Sequence, residues 1–292
     1  MGSEFSHETY VSDTKDFKDG CRYWADFDSE PFSAGTFRLA FRGNVHGSGP
    51  RDGSHCVTKV FMKDTEYNTY FADWVPDFHA SVKAARFAEI FTQNVLPSLK
   101  GLISTTKIEF VIPLLAKMDS LSHFKVLGLF PVKEDRSYLL PKEYVGIEPY
   151  LEGKFEKFNS NGGYEDNTAA VLNTFSHWTW HVSGHQYLVC DLQGVRNGSQ
   201  YQLTDPCIHS KDSRYGMTDL GVVGMEQVLA SHKCNNLCDR LALSNPLADI
   251  AVHVPGHKIR HTTYNFQLED GDIVRANDGR TPYFSFRDPI VH

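Results

Sequence analysis

The sequence predicts an α+β fold in two lobes, a β-sheet carrying one long helix and then a mixed second lobe. Three observations point there. Apolar alternation runs through Phe37-Arg38-Leu39-Ala40-Phe41 and resumes in Cys56-Val57-Thr58-Lys59-Val60-Phe61, which marks a β-hairpin. Phe78, Val82, Ala85, Ile90 and Phe91 recur among charges and amides through 77–96, a run closed by Pro97, which marks an amphipathic helix. Near residue 151 the texture turns polar and Gly/Asn-rich, and a helical run then feeds an apolar strand, Tyr187 to Leu192, that carries Asp191.

Met1 to Phe5 looks like a cloning scar (1–5), and residues 6–30 read as a polar, acidic lead-in. The first lobe is expected over 31–150, with further strands at 107–116, 124–132 and 143–151. Its Gly47-Ser48-Gly49-Pro50-Arg51-Asp52-Gly53 segment mimics a phosphate-binding glycine loop, but Pro50 removes a donor and the last glycine comes late, so it reads as a hairpin turn. The second lobe is expected over 151–245. It begins with a polar loop, Phe155 to Tyr164, then a helix from Thr168 to Val182, the strand 187–192, and glycine turns leading to a helix that carries Met225, Val228, Leu229 and Leu237. Residues 246–292, with turn signals at Asp270-Gly271 and Asn277-Asp278-Gly279, form an appendage.

The 292 residues carry a formal charge of -7 and no run of interleaved basic and aromatic residues, which disfavours nucleic acid as a partner. No stretch approaches the roughly 20 apolar residues of a membrane helix, so a soluble, cytoplasmic protein without a membrane partner is expected. Six cysteines are present, four of them scattered singly, which suits reduced thiols better than a disulfide framework. The oligomeric state is not legible.

The densest chemical signal is Ser183-Gly184-His185-Gln186-Tyr187-Leu188-Val189-Cys190-Asp191-Leu192-Gln193-Gly194, followed by Thr204-Asp205-Pro206. A buried strand delivering Asp191, then Gln193, then Asp205 after a turn, gathers hard oxygen donors of the kind Mg²⁺ takes. Solvated loop residues would produce the same spacing.

These Gly-His-Gln, Asp-Leu-Gln-Gly and Thr-Asp-Pro elements resemble the catalytic core of the atypical alpha-kinases, the family of the myosin heavy-chain kinases and elongation-factor kinase. The resemblance covers roughly residues 30–245 and implies a two-lobed, atypical protein-kinase-like fold. The implied activity is transfer of the ATP γ-phosphoryl to Thr or Ser of a protein substrate. On this resemblance Asp191 is the catalytic aspartate, Gln193 and Asp205 hold Mg²⁺, and Lys59 is the nucleotide-binding lysine. Phe32-Ser33-Ala34-Gly35-Thr36-Phe37-Arg38 resembles the family's nucleotide loop, with Gly35 letting the backbone approach ATP and Arg38 reaching towards it. Ile147-Glu148-Pro149-Tyr150-Leu151 resembles the hinge, so Glu148, Tyr150 and Leu151 are implied adenine contacts. The following Lys/Asn loop brings in Lys157 and Asn161 as nucleotide contacts. Neither the His-Arg-Asp nor the Asp-Phe-Gly element of ordinary protein kinases occurs.

His232-Lys233-Cys234-Asn235-Asn236-Leu237-Cys238, if helical, puts both thiols on one face; a buried pair of cysteines and shared metal ligation both fit that spacing. The family resemblance implies a structural Zn²⁺ held by His232, Cys234, Cys238 and His177. Two departures stand out. Gly216-Met217-Thr218-Asp219-Leu220-Gly221 resembles the family's glycine-rich substrate element, implied to position the acceptor, but Asp219 stands where the family has an amide, and the turn through Arg196 to Gln200 is longer than the family's. They motivate an alternative, a catalytically weak or inactive binding module. Glu89 is a candidate partner for Lys59.

Overall fold

The computed structural model describes residues 11–12, 14–16, 19–62, 71–118, 122–123, 138–140, 142–244, 246, 273–274 and 284–285. The segment Met1 to Phe5, the strand expected at 124–132 and the turn signals near 270 and 278 lie outside them. In chain order the principal elements are β1 (Arg22–Phe27), β2 (Arg38–Gly47), β3 (His55–Phe61), α1 (Phe71–Ile90), β4 (Lys107–Phe110), β5 (Leu114–Met118), β6 (Tyr144–Pro149) and β7 (Phe155–Lys157). They continue with α2 (Ala170–Val182), β8 (Tyr187–Cys190), β9 (Gln193–Asn197), β10 (Gln200–Thr204), β11 (Cys207–Ser210), α3 (Gly221–Ser231) and α4 (Asn236–Arg240). The chain divides into two units, Met1–Phe78 with Ile112–Tyr150, and His79–Val111 with Leu151–His292.

In the first unit the strands lie in the order β5-β6-β3-β2-β1, all antiparallel. The lead-in supplies short strands at both edges, Val11–Ser12 on β5 and Thr14–Lys15 on β1, so this one segment spans from edge to edge. Alternation along the strands buries Tyr23, Phe27, Leu39, Phe41, Val60, Val145 and Ile147 in one core. The expected hairpin is present as β2 and β3.

Helix α1 begins at Phe71, earlier than the expected Asp77. Two aromatic anchors explain the extra turns. The Phe71 ring lies 5.3 Å from that of Tyr144, and Trp74, buried, packs 4.5 Å from Phe61 and donates its indole N–H to Tyr144 O at 3.1 Å. These contacts outweigh the backbone hydrogen bond that Pro76 forgoes inside the helix. A Cβ on Gly146 would sit 2.8 Å from the Trp74 ring, so only glycine lets the indole close on β6. After Ile90 the chain passes through a π turn, Phe91–Val95, into a 3₁₀ turn, Leu96–Leu99. Pro97 therefore opens a tighter turn, where it needs no N–H, instead of closing the α-helix.

In the second unit a four-stranded sheet runs β7-β9-β10-β4, with β8 and β11 forming a separate antiparallel pair. Residues 79–111 pack with this unit although they precede residue 150, because β4 pairs parallel with β10 and the rings of Phe87 and Phe91 interlock with Phe175 and Trp178 of α2. The segment expected to be a polar loop from Phe155 is partly a strand, and its Phe158 and Asn159 are buried. Asp166 accepts from Thr168 N at 2.8 Å and caps the 3₁₀ turn that leads into α2. Among the described residues no helix is long and apolar enough to cross a membrane.

Candidate functional site

Strand register brings Asp191, Gln193 and Asp205 together. Cys190 closes β8 opposite Cys207, which opens β11; Gln193 opens β9 opposite Thr204, which closes β10. Each strand must therefore cross from one pair to the other in two residues, Asp191-Leu192 on the way out and Asp205-Pro206 on the way back. Both aspartates adopt a left-handed backbone, φ 57° and 48°, which costs non-glycine residues on the order of 1–3 kcal/mol and concentrates at functional sites. The crossing is clamped from outside. Leu192 O accepts from Phe158 N at 2.8 Å, and Leu192 N donates to Asn159 Oδ1 at 2.8 Å. Asn159 in turn donates to Ser176 Oγ of α2 at 3.0 Å. This buried amide is a positioning residue that the sequence did not flag, since its neighbours are polar and loop-like.

Lys157 lies opposite Gln193, and its Nζ is 2.8 Å from Asp191 Oδ1. That buried oxygen nevertheless receives no hydrogen bond of good geometry from the described residues. Gln193 Nε2 reaches Asp191 Oδ2 at 3.4 Å, which leaves its amide oxygen turned elsewhere. Three oxygen-bearing side chains of this kind, one with a buried oxygen that receives no hydrogen bond, fit a hard divalent cation.

In the first unit Lys59 Nζ meets Glu148 Oε2 at 2.7 Å, both buried. Register explains the pair: Lys59 faces Gly146 and Val57 faces Glu148, so the two side chains are diagonal neighbours on one face. Glu148 is thus the carboxylate partner of Lys59. Glu89 is not, being exposed and engaged by Arg86. The Glu148 side chain is thereby committed to Lys59, and its backbone stands opposite Val57 in the β6–β3 ladder. Tyr150 follows, its N–H bonded to His55 O at 3.0 Å, and Leu151 opens the second unit. Arg38 stacks over Phe61 and Trp74 at 5.5 and 5.7 Å and pairs with Asp77 at 3.8 Å. Gly35, in the turn where its N–H bonds Arg38 O at 2.8 Å, is exposed.

The two sequence departures have plain structural explanations. Arg196 to Gln200 belongs to a regular β9–β10 hairpin turning at Gly198 and Ser199, remote in register from Gln193. Asp219 is buried and accepts from Ser210 N at 2.9 Å, Ser210 Oγ at 2.5 Å, Tyr215 N at 3.1 Å and Gly221 N at 2.9 Å. Four donors converging on one side chain call for an acceptor-only group, which a carboxylate is and an amide is not.

His177, His232, Cys234 and Cys238 bring two nitrogens and two sulfurs within 4.8 Å of one another. Cys234 lies ahead of α4, whose cap is Asn235, so the thiols do not share a helical face as the spacing suggested; the extended segment 232–235 folds Cys234 back instead. His177 bonds Ser244 O through Nε2 at 2.9 Å, and its Nδ1 lies 3.8 Å from Cys234 Sγ. His232 bonds Glu165 through Nδ1 at 2.6 Å, and its Nε2 lies 3.5 Å from Cys238 Sγ. Each imidazole thus anchors one nitrogen outside and aims the other inward, the arrangement that orients metal-binding histidines. Glu165 is a second residue that sequence reasoning missed. Burial, with His232 beside it, pushes His177 down to about 3. Burial also opposes charge on His232, but Cys238 and Glu165 overcome it and raise this imidazole to about 9. Burial lifts Cys234 to about 11, whereas for Cys238 the His232 imidazole and the Asn235 N–H prevail over burial and lower the thiol. Two imidazoles and two thiols fit a closed tetrahedral zinc set.

Residues 33–238 match the model of the Alpha-kinase family. An alpha-protein kinase of Dictyostelium discoideum, vwkA, is 33% identical over 228 residues, 74% of this chain and 31% of that protein. Among solved structures, a novel alpha kinase from Entamoeba histolytica superposes with a TM-score of 0.58 at 27% identity, covering 76% of this chain and 80% of that one. The alpha-kinase domain of myosin heavy chain kinase A, solved in complex with AMP, superposes with a TM-score of 0.61 at 23% identity, covering 81% of this chain and 99% of that domain, a likeness of fold. The chain spans about a quarter to a third of the length of such curated relatives.

Proposed function

This chain belongs to the alpha-kinase family, and from that premise we propose that it is an ATP- and Mg²⁺-dependent protein serine/threonine kinase. The observation that carries this reading is the pair of left-handed aspartates, Asp191 and Asp205, at two adjoining strand crossings with Gln193 beside them. In phosphoryl transfer the protein chiefly positions groups and offsets charge. Asp191 orients the Thr or Ser hydroxyl of the protein substrate and takes its proton as the acceptor oxygen bonds the γ-phosphorus and ADP leaves. Lys157 holds Asp191 in place until the acceptor arrives. Gln193 and Asp205 would hold Mg²⁺, which when bound neutralises phosphate charge. Lys59 binds phosphate oxygens, with Glu148 fixing its ammonium; Gly35, Arg38, Tyr150, Leu151 and Asn161 complete the nucleotide contacts.

The test is incubation with labelled ATP, Mg²⁺ and a basic, helical, Thr-containing peptide. Transfer well above that of the Asp205→Ala variant is expected, and equal signals overturn the reading. A second expectation concerns the first unit. Lys59→Ala leaves Glu148 charged and buried, so unfolding stability should fall by about 3–5 kcal/mol as well as transfer being lost. A Lys59→Met/Glu148→Gln double variant should recover most of that stability in a denaturant titration while transfer stays absent. Recovery of transfer would remove Lys59 from the phosphate-binding role.

We propose in addition that His177, His232, Cys234 and Cys238 hold a structural Zn²⁺ that ties α2 to the 232–238 segment. The inward nitrogens and the mixed thiol–imidazole set support this. Free thiols at all six cysteines favour a reducing compartment, the cytosol, as the site of action.

A further inference from the structure

We propose that His209 is a positioning residue that holds the loop at Asn161 and the loop at Leu220 in one fixed arrangement. The inference rests on the kinase reading, in which Asn161 contacts the nucleotide and 216–221 positions the acceptor. His209 lies on β11 with its side chain wholly buried. Leu220 N donates to Nδ1 at 3.1 Å, a bond that requires this nitrogen to be unprotonated. Nε2 therefore carries the hydrogen and donates to Asn161 O at 3.1 Å. One ring thus joins a backbone donor of one loop to a backbone acceptor of the other.

The ring has no freedom to do otherwise. A Cβ on Gly224 would lie 2.6–2.7 Å from three of its atoms, so α3 lies flat against the imidazole. On its other flank Cys207 Sγ is 3.8 Å from Nδ1 and donates to Thr218 O at 3.0 Å, and Asp219 Oδ1 is 4.0 Å away. Cys190, Cys207 and His209 gather donor atoms within 4.8 Å, as a metal set would. Both ring nitrogens are already bonded to backbone, however, and a metal would have to expel the Leu220 amide. The cluster serves as a brace between loops.

The two halves of the brace are separable, because an asparagine amide falls near the Nδ1 position and a glutamine amide near Nε2. His209→Gln keeps a donor for Asn161 O and loses the acceptor for Leu220. It should raise KM for the acceptor peptide about five- to tenfold, with the Kd for ADP within about twofold of wild type. His209→Asn should do the reverse, weakening ADP about fivefold while peptide KM moves less than about twofold. ADP binding is read by calorimetry without turnover. A loss of ADP affinity confined to His209→Asn, with His209→Gln binding ADP like wild type, therefore supports the brace even if the protein transfers no phosphate, an outcome that would sink only the kinase reading. If both variants lose Tm equally and shift ADP and peptide in parallel, His209 is a structural residue only. Unchanged values in both variants overturn the proposal as well.

Discussion

Asp191→Asn is expected to lower the rate of phosphate transfer by about 10²–10⁴-fold with little change in stability. Asparagine is the informative choice because residue 191 has φ 57°, a conformation that asparagine tolerates better than most side chains, so the strand crossing keeps its shape. The amide keeps the size of the carboxylate but cannot take a proton from an acceptor hydroxyl. Lys157 loses its partner, yet it is about half exposed, so its ammonium stays hydrated and the cost is small. A Tm within a few degrees of wild type alongside a collapsed kcat is the expected pattern. A kcat within about tenfold of wild type would remove Asp191 from the proton-accepting role.

Removal of the proposed zinc should have the largest effect on folding. Apparent zinc-binding free energies in structural sites run to about 10–16 kcal/mol, as large as the whole stability of a typical domain. A preparation stripped by a strong chelator should lose its cooperative melting transition, and Cys238→Ser should fail to yield folded protein. Intact mass under native conditions should show one zinc per chain. The pH dependence follows from the site. Binding displaces protons from Cys234 and Cys238, and from His232, which sits near 9, whereas His177, near 3, is already neutral. Affinity therefore rises with pH across the neutral range and zinc is released on acidification. A zinc-free protein with an unchanged Tm would refute the structural role.

What could be read ahead of the structure was whatever local spacing encodes. The hairpin announced itself through alternation about Lys59, and the strand leading to Asp191 through an unbroken apolar run. The grouping of Asp191, Gln193 and Asp205 followed from one strand and one turn. Features set by long-range register stayed hidden. Glu148 pairs with Lys59 across 89 positions, Asn159 grips Leu192 across 33, and Glu165 reaches His232 across 67. Nothing in their immediate neighbours distinguishes these side chains from solvated ones. The start of α1, expected at Asp77, was missed for a related reason: only the burial of Trp74 against Tyr144 and Gly146 shows why the helix begins ahead of Pro76 and runs through it. Cys234 shows the opposite error, a helical spacing realised by an extended segment.

The parallel pairing of β4 with β10 bears on how the polypeptide is made. Lys107 must wait for Gln200, so during synthesis β4 emerges long before its neighbour, while the strands of the first sheet, ending at Pro149, are complete sooner. Until then Ile108 and Phe110 are an unsatisfied apolar ribbon, open to mispairing with another nascent chain. Cutting the gene at codon 150 would make that interval permanent: the upstream fragment keeps a ribbon with no mate, and the downstream fragment keeps a sheet with a bare margin.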